Sequence, residues 1–202
     1  MIALIDYGMG NLGSVHKALL KVGCEVEMTS DATVIDAADG VVLPGVGSFD
    51  DCMINLEQSG VIPAIERAVA ADKPFVGICL GLQVLFESSE EGKLPGLCIL
   101  PGKVVRFKHS LKIPQIGWNQ IRIHGDVPNL RGVEDGSWTY FVHSFYAEPA
   151  DESLIATTTD YGYEFCSAVR RGNLFASQWH PEKSANVGLQ VLANFRDIVA
   201  SQ

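Results

Sequence analysis

The pattern of hydrophobic and polar positions divides the chain into two parts. In the first part, uninterrupted apolar runs at 2–5, 40–43 and 74–78 predict buried strands, and a further strand is predicted at 25–28. Apolar residues at helical spacing, such as those within 15–22, lie between the first two strands. Continuous apolar strands that alternate with helices are typical of a parallel sheet covered on both faces. Ligands bind to such sheets beyond the carboxyl ends of the strands.

The second part, from about Lys103 to Gln178, has short runs of alternating polarity separated by turns. The runs 138–142 and 164–169 predict antiparallel strands that extend the first sheet. Apolar residues at helical spacing within 187–199 then predict a closing helix. We therefore expect one α/β domain over residues 1–202, with a mainly parallel central sheet flanked by helices and an antiparallel extension.

A cysteine lies on a glycine-framed turn at the end of one predicted strand. The segment Gly77-Ile78-Cys79-Leu80-Gly81 follows the apolar run 73–76, and a helix-like segment 82–87 comes next. Small residues at both ends of such a pentapeptide let the backbone fold back sharply and project the central side chain alone. Amides at a helix start favour the thiolate, which is the reactive form of cysteine. Cys79 is the predicted nucleophile.

Two residues near the end of the chain can activate this thiol. His180 and Glu182 are two apart in a stretch predicted to be extended, which places both side chains on one side. A nucleophilic thiol needs a histidine to move its proton and a third group to orient the imidazole. By contrast, the four other cysteines lie in apolar surroundings without a motif, which indicates packing roles for Cys24, Cys52, Cys98 and Cys166.

A second glycine-rich turn follows the run 41–43. In Pro44-Gly45-Val46-Gly47, peptide N–H groups can turn towards one point without a Cβ in the way. Acyl transfer builds negative charge on a carbonyl oxygen, and such amides stabilise that charge. We predict an oxyanion hole from the backbone of Gly45, Val46, Gly47 and Leu80.

Together these motifs resemble the class I (triad) glutamine amidotransferases. The resemblance rests on the cysteine turn with Gln83, on 44–47 and on His-Pro-Glu-Lys-Ser at 180–184. Three further segments, at 6–12, 115–119 and 140–144, resemble the glutaminase subunits of imidazole glycerol phosphate synthase within that family. The resemblance spans essentially the whole chain. One mild departure is Trp179, where many relatives have phenylalanine.

The resemblance implies a flavodoxin-like amidotransferase fold and hydrolysis of L-glutamine by a Cys79–His180–Glu182 triad. It also implies a heterodimer with a (β/α)8-barrel cyclase subunit, which receives the ammonia in histidine biosynthesis. Neither a cofactor nor a metal is implied. The resemblance assigns two further groups of residues: substrate-binding Gln83, His143, Ser144 and Phe145, and partner-interface or ammonia-passage Asn11, Trp118, Asn119, Tyr140 and Lys183.

Composition agrees with this interpretation and excludes other classes. A chain of 202 residues with 47% hydrophobic content can build one sizeable core. The net charge of -9 and the lack of a Lys/Arg cluster indicate no basic patch for nucleic-acid binding. No run approaches the roughly 20 apolar residues of a membrane span. Five cysteines without paired spacing suit a reducing compartment, so we expect a cytoplasmic protein.

Several alternatives remain at this point. Gly8-x-Gly10-x-x-Gly13 matches the bare dinucleotide-binding pattern, with Glu27 or Asp31 as the acidic residue, but no second dinucleotide half follows. Another triad glutaminase, such as that of pyridoxal phosphate synthesis, would have a different loop at 44–47. A DJ-1/PfpI-type hydrolase would usually place its histidine where Leu80 stands. A flavodoxin-like binding module would need no triad.

Overall fold

A computed structural model describes all residues 1–202. The strands are β1 Ile2–Ile5, β2 Val26–Thr29, β3 Gly40–Gly45, β4 Phe75–Cys79, β5 Ser88–Ser89, β6 Gly102–Arg106, β7 Gln115–Gln120, β8 Arg122–Ile123, β9 Trp138–His143, β10 Phe145–Pro149, β11 Ile155–Asp160, β12 Glu164–Arg171 and β13 Leu174–Ser177. The helices are α1 Leu12–Lys21, α2 Ala32–Ala37, α3 Phe49–Ser59, α4 Ile62–Ala70, α5 Leu80–Gln83 and α6 Ala185–Ala200. Short 3-10 turns cover Pro128–Leu130, Glu152–Leu154 and Pro181–Lys183.

One large sheet organises the molecule. Its strands run in the order β2-β1-β3-β4-β13-β12-β10-β6-β5. The neighbours from β2 to β13 are parallel, whereas β12, β10 and β6 continue the sheet through antiparallel pairs. The predicted fold class, a mainly parallel α/β sheet with an antiparallel extension, is confirmed.

The apolar strands are buried on both faces because helices cover each side. In β1, Ile2 and Leu4 point to one face, where they join a cluster with residues of α1 and α6. The alternate residues Ala3 and Ile5 join a larger cluster with residues of α2, α3 and α4. This alternation is why the first strand has no polar position. No helix of the structure is both long enough and apolar enough to span a membrane.

Two strands of the second part differ from the prediction. Strand β13 pairs antiparallel with β12, but it also runs parallel to β4 in the centre of the sheet. Strand β9, predicted to extend the large sheet, pairs with β7 in a separate two-stranded ribbon. Strand pairing is decided by contacts far apart in sequence, so a local alternating pattern identifies a strand without identifying its neighbour.

The helix after the cysteine is shorter than the predicted segment 82–87. Helix α5 ends at Gln83. The carbonyls of Val84 and Leu85 instead accept hydrogen bonds from Leu97 and from Ile99 and Leu100. These partners leave no helical acceptors for a second turn.

Candidate active site

Three neighbouring strands end together at one edge of the sheet. The parallel register places Gly45 of β3 beside Cys79 of β4 and Ser177 of β13 beside Ile78. A cavity of about 410 Å³ lies at this edge. It is lined by Val46, Gly47, Cys79, Leu80, Gln83, Glu91, Pro114, Val142, His143, Ser144, Phe145, His180 and Lys183. The predicted nucleophile and its predicted base therefore share one pocket.

Cys79 has a backbone conformation that non-glycine residues rarely adopt. Its φ of 56° and ψ of -108° lie outside the helical and strand regions. Such strained backbone conformations persist only where the surrounding packing holds them in place, and they are typical of nucleophile turns. The surroundings here include Gly81, where a Cβ atom would lie 2.0 Å from the Leu43 carbonyl oxygen. The glycine frame is required by this close approach of α5 to β3.

His180 and Glu182 form a buried pair. The Nδ1 atom of His180 lies 2.8 Å from Glu182 Oε1, and the two side chains are 2% and 1% exposed. The prediction of one extended stretch is wrong for Glu182. His180 has extended backbone, whereas Glu182 lies in the 3-10 turn that follows. The turn folds the carboxylate back onto the ring.

The electrostatics of His180 favour its protonated form. Burial lowers the pKa of His180, but the neighbouring Cys79 and Glu182 outweigh burial and raise the pKa to about 10. The Nε2 atom is buried and forms no hydrogen bond in the structure. Catalytic hydrogen bonds often form only when substrate binds. The His180 ring is therefore protonated at rest and can give its proton to a leaving group.

The glycine-rich turn after β3 lies at the edge of the cavity. Val46 and Gly47 line the cavity, and so does Leu80 across from them. Gly45 does not line it, because Gly45 is still paired with Cys79 in the sheet. Gly47 has a φ of 105°, a conformation that favours glycine.

The loop at 6–11 supports this turn from outside. The Tyr7 hydroxyl donates a hydrogen bond of 2.8 Å to the carbonyl of Pro44. A Cβ atom on Gly47 would lie 2.7 Å from Met9 Cε. The loop whose glycines match a dinucleotide pattern thus packs against the glycine-rich turn.

All the residues that the resemblance assigned to substrate binding line the cavity. They are Gln83, His143, Ser144 and Phe145. The Phe145 carbonyl accepts hydrogen bonds from Gln83 Nε2 at 3.0 Å and from His143 Nδ1 at 2.8 Å. This carbonyl therefore fixes two cavity side chains.

The residues assigned to a partner interface are brought together only in part. The rings of Trp118 and Tyr140 meet edge to face at 6.0 Å, and Lys183 Nζ lies 5.8 Å from the centre of the Tyr140 ring. Asn119 points to the opposite face of the ribbon, because adjacent strand residues alternate, and donates to the Asp160 carbonyl. Asn11 precedes α1, which contacts the turn that carries Lys183.

The family model "Glutamine amidotransferase class-I" matches residues 3–198. The chain belongs to this family. It is 51% identical over 199 residues to the imidazole glycerol phosphate synthase subunit HisH of Moorella thermoacetica, covering 98% of this chain and 95% of that one. It is 52% identical over 206 residues to the subunit HisH of Syntrophotalea carbinolica, covering 98% of this chain and all of that one.

Solved structures show the same amidotransferase fold at low sequence identity. PurLQS from Thermotoga maritima has a TM-score of 0.77 and 18% identity, covering 98% of this chain and 97% of that chain. The glutaminase domain of Trypanosoma brucei CTPS, solved with bound acivicin, has a TM-score of 0.68 and 16% identity, covering 97% of this chain and 93% of that chain. The fold is therefore shared with distant relatives.

Sequence reasoning missed three cavity residues of this amidotransferase, Glu91, Pro114 and Val142, of which only Glu91 is charged. Glu91 follows β5 and lines the cavity, and its carboxylate accepts a hydrogen bond from the Phe49 amide at 2.9 Å. Burial raises the pKa of Glu91, and this hydrogen bond opposes the rise. The residue thus connects the cavity wall to the start of α3. Nothing in the polar run Glu90-Glu91-Gly92 distinguishes it from a solvated loop.

His143 gives this amidotransferase a testable pH dependence. Burial lowers the pKa of His143 to about 4, against 6.5 for a free histidine; the hydrogen bond to Phe145 opposes the shift and the charge on His180 adds to it. Between these values the unfolded chain binds a proton that the folded chain does not. The stability from His143 is therefore fully present above pH 6.5 and is lost as the pH falls towards 4, by about 3 kcal/mol.

We expect the free energy of unfolding of His143→Gln to fall less than that of the native chain as the pH is lowered from 6.5 to 4. Urea unfolding of both proteins at several pH values between 7.5 and 4 measures this difference. Two parallel curves would contradict the assignment of a buried neutral imidazole.

Proposed function

We propose that the chain is the glutaminase subunit of imidazole glycerol phosphate synthase, acting in the cytoplasm as a single amidotransferase domain. The observation that supports it most is the cavity in which Cys79 on its strained turn meets the buried His180–Glu182 pair. The substrate is L-glutamine and the products are glutamate and ammonia. Similarity to the HisH subunits over nearly the whole chain supports the assignment to this synthase.

The reaction follows from the charges in the cavity. The Cys79 thiolate attacks the side-chain amide carbon of glutamine, and the oxyanion accepts hydrogen bonds from the Leu80 amide and an amide of the 44–47 turn. His180 gives its proton to the departing nitrogen, the C–N bond breaks, and ammonia leaves a thioester behind. Water then loses a proton to His180 and attacks the thioester. Glutamate is released and the thiolate is restored.

The ammonia needs a protected path, since protonation in water would remove its nucleophilicity. Lys183 both lines the cavity and lies over Tyr140, so the cavity adjoins the aromatic face of the β7–β9 ribbon. Ile116, Trp118 and Trp138 are 57%, 49% and 53% exposed on that ribbon. Exposed aromatic side chains are typical of interaction sites. This face is the proposed docking site of the (β/α)8-barrel cyclase.

Docking there can act on the triad through main-chain contacts. The Tyr140 carbonyl accepts from the His180 amide at 3.0 Å, and the Tyr140 amide donates to Ser184 Oγ at 3.0 Å. Ser184 Oγ in turn donates to the His180 carbonyl at 2.6 Å. A residue of the docking face therefore holds the catalytic base directly.

We expect the isolated chain to be a poor glutaminase that the occupied partner activates. The 44–47 turn is the proposed bistable element, because rotation of one peptide unit removes an oxyanion donor, and one lost donor costs about 10²–10³ in rate. Partner contacts would bias the turn towards the competent state. Glutamate release is measured for the chain alone, with the cyclase, and with the cyclase bound to a substrate analogue.

A rise in rate across these three mixtures is the expected result. Equal rates in all three would refute the coupling while leaving the triad intact. No glutamate release in any mixture would contradict the proposed function itself.

A Trp118→Ala variant should weaken binding to the cyclase, measured by titration calorimetry, whereas Leu20→Ala on the exposed face of α1 should not.

A further inference from the structure

A thiolate at Cys79 is stabilised by hydrogen-bond donors, and His180 Nε2 forms no hydrogen bond to it in the structure. The sequence suggested the amides of a following helix, but α5 has only 4 residues. A single turn carries little macrodipole, since that effect comes from aligned peptide units. The strands beside β4 are therefore the remaining source of hydrogen-bond donors to the sulfur.

The register of β13 places Gln178 beside the nucleophile. Ser177 ends β13 and pairs with Ile78, so Gln178, the next residue of the chain, follows at the level of Cys79, the last residue of β4. Gln178 Nε2 lies 3.6 Å from Cys79 Sγ, within hydrogen-bond range for sulfur. The Gln178 side chain is fully buried and does not line the cavity. It therefore contacts the sulfur from behind, away from the glutamine site.

The direction of this amide is fixed by a chain of hydrogen bonds. The Phe145 carbonyl can only accept, so the Gln83 atom that faces it at 3.0 Å must be the amide nitrogen. The same nitrogen lies 3.0 Å from Gln178 Oε1, which must be the acceptor. The nitrogen of Gln178 is then left to face the sulfur. The assignment of both amides follows from one backbone carbonyl.

We propose that Gln178 is a catalytic hydrogen-bond donor to the Cys79 sulfur, and that Gln83 is the positioning residue that holds its amide in the donating orientation. A donor at this place stabilises thiolate more than thiol, because hydrogen bonds to charged groups are stronger than those to neutral ones. With both N–H groups of Gln83 engaged by protein, only its Oε1 can serve the substrate. Gln83 thus connects the glutamine site to the nucleophile.

The test is the pH profile of Cys79 alkylation by iodoacetamide in the full chain, followed by peptide mass spectrometry. Gln178→Met keeps the length of the side chain and removes the donor. We expect the midpoint of its profile to move to higher pH by about one unit, which means a tenfold lower rate of alkylation at pH values below both midpoints. Gln178→Glu should move it further, since a carboxylate repels the thiolate. Gln83→Met should move the midpoint less than Gln178→Met does. The control Gln190→Met, on the exposed face of α6, should leave the midpoint unchanged.

A folded Gln178→Met protein with an unchanged profile would overturn the inference, with folding checked by circular dichroism. Should that variant fail to fold, the Gln83→Met profile decides, since an unchanged midpoint there removes the orienting role.

A second experiment rests on the proposed function: with glutamine and the cyclase, Gln178→Met should lower kcat about tenfold and leave KM unchanged. A rise in KM with unchanged kcat would contradict it. Alkylation needs no glutaminase activity, so failure of the proposed function and failure of this inference give different results.

Discussion

Cys79→Ser should abolish glutamine-dependent synthesis by the complex while synthesis from added ammonium salt at raised pH continues. The thiol is needed only to release ammonia, and loss of a nucleophile costs on the order of 10⁴-fold or more in turnover. Serine is a poor substitute because a hydroxyl is a much weaker acid than a thiol and a weaker nucleophile. Product formation from each nitrogen source is the measurement.

The matched control for this substitution is Cys24→Ser. Cys24 is 6% exposed and Cys79 is 8% exposed, so both changes bury a hydroxyl to a similar extent. Burial raises the pKa of the Cys24 thiol, which keeps it in the unreactive form. Both activities should survive in this variant. Loss of ammonia-dependent synthesis in Cys79→Ser would show that the cysteine is structural.

Gly81→Ala should have the largest effect on stability of any single methyl added to the site. The new Cβ would lie 2.0 Å from the Leu43 carbonyl oxygen and 3.0 Å from its carbon. Backbone atoms on both sides cannot move without separating α5 from β3, so we expect a loss of about 3 kcal/mol or more. Guanidinium unfolding of the purified variant, or its failure to appear in the soluble fraction, measures this loss.

Gly13→Ala is the control for the same change in chemistry. No atom lies within 4 Å of a Cβ placed on Gly13 in α1. Alanine has the higher helix propensity, so this variant should gain about 0.5–1 kcal/mol. If Gly81→Ala were as stable as Gly13→Ala, the close approach of α5 to β3 would not limit the fold.

The sequence predicts the parallel strands of the first part of the chain well, because buried parallel strands have a distinctive composition. Strands β1, β3 and β4 contain almost no polar residue, and glycine marks the turns after β3 and β4. Strand β13 is equally buried, but it directly follows β12, its antiparallel neighbour. Its local pattern does not reveal that it also pairs, in the parallel direction, with a strand about a hundred positions earlier.

The site is predictable where chemistry requires a rare local pattern. Cys79 in its glycine frame and His180 with Glu182 can be found without a structure, because a nucleophile turn and an oriented base have recognisable residue types. Gln178 and Glu91 cannot be found in this way. Each acts through one contact across the fold, to Cys79 and to Phe49, and their residue types are common.

The place of β13 in the sheet has a consequence for synthesis on the ribosome. The nucleophile and Gln178 are 99 positions apart, so β4 emerges long before the strand that covers its second edge. Until then β4 exposes a row of unpaired amides on a strand whose residues are all buried in the native fold. Such an edge invites aggregation of the growing chain. The same delay keeps the thiol without its base, so a half-made chain cannot consume glutamine.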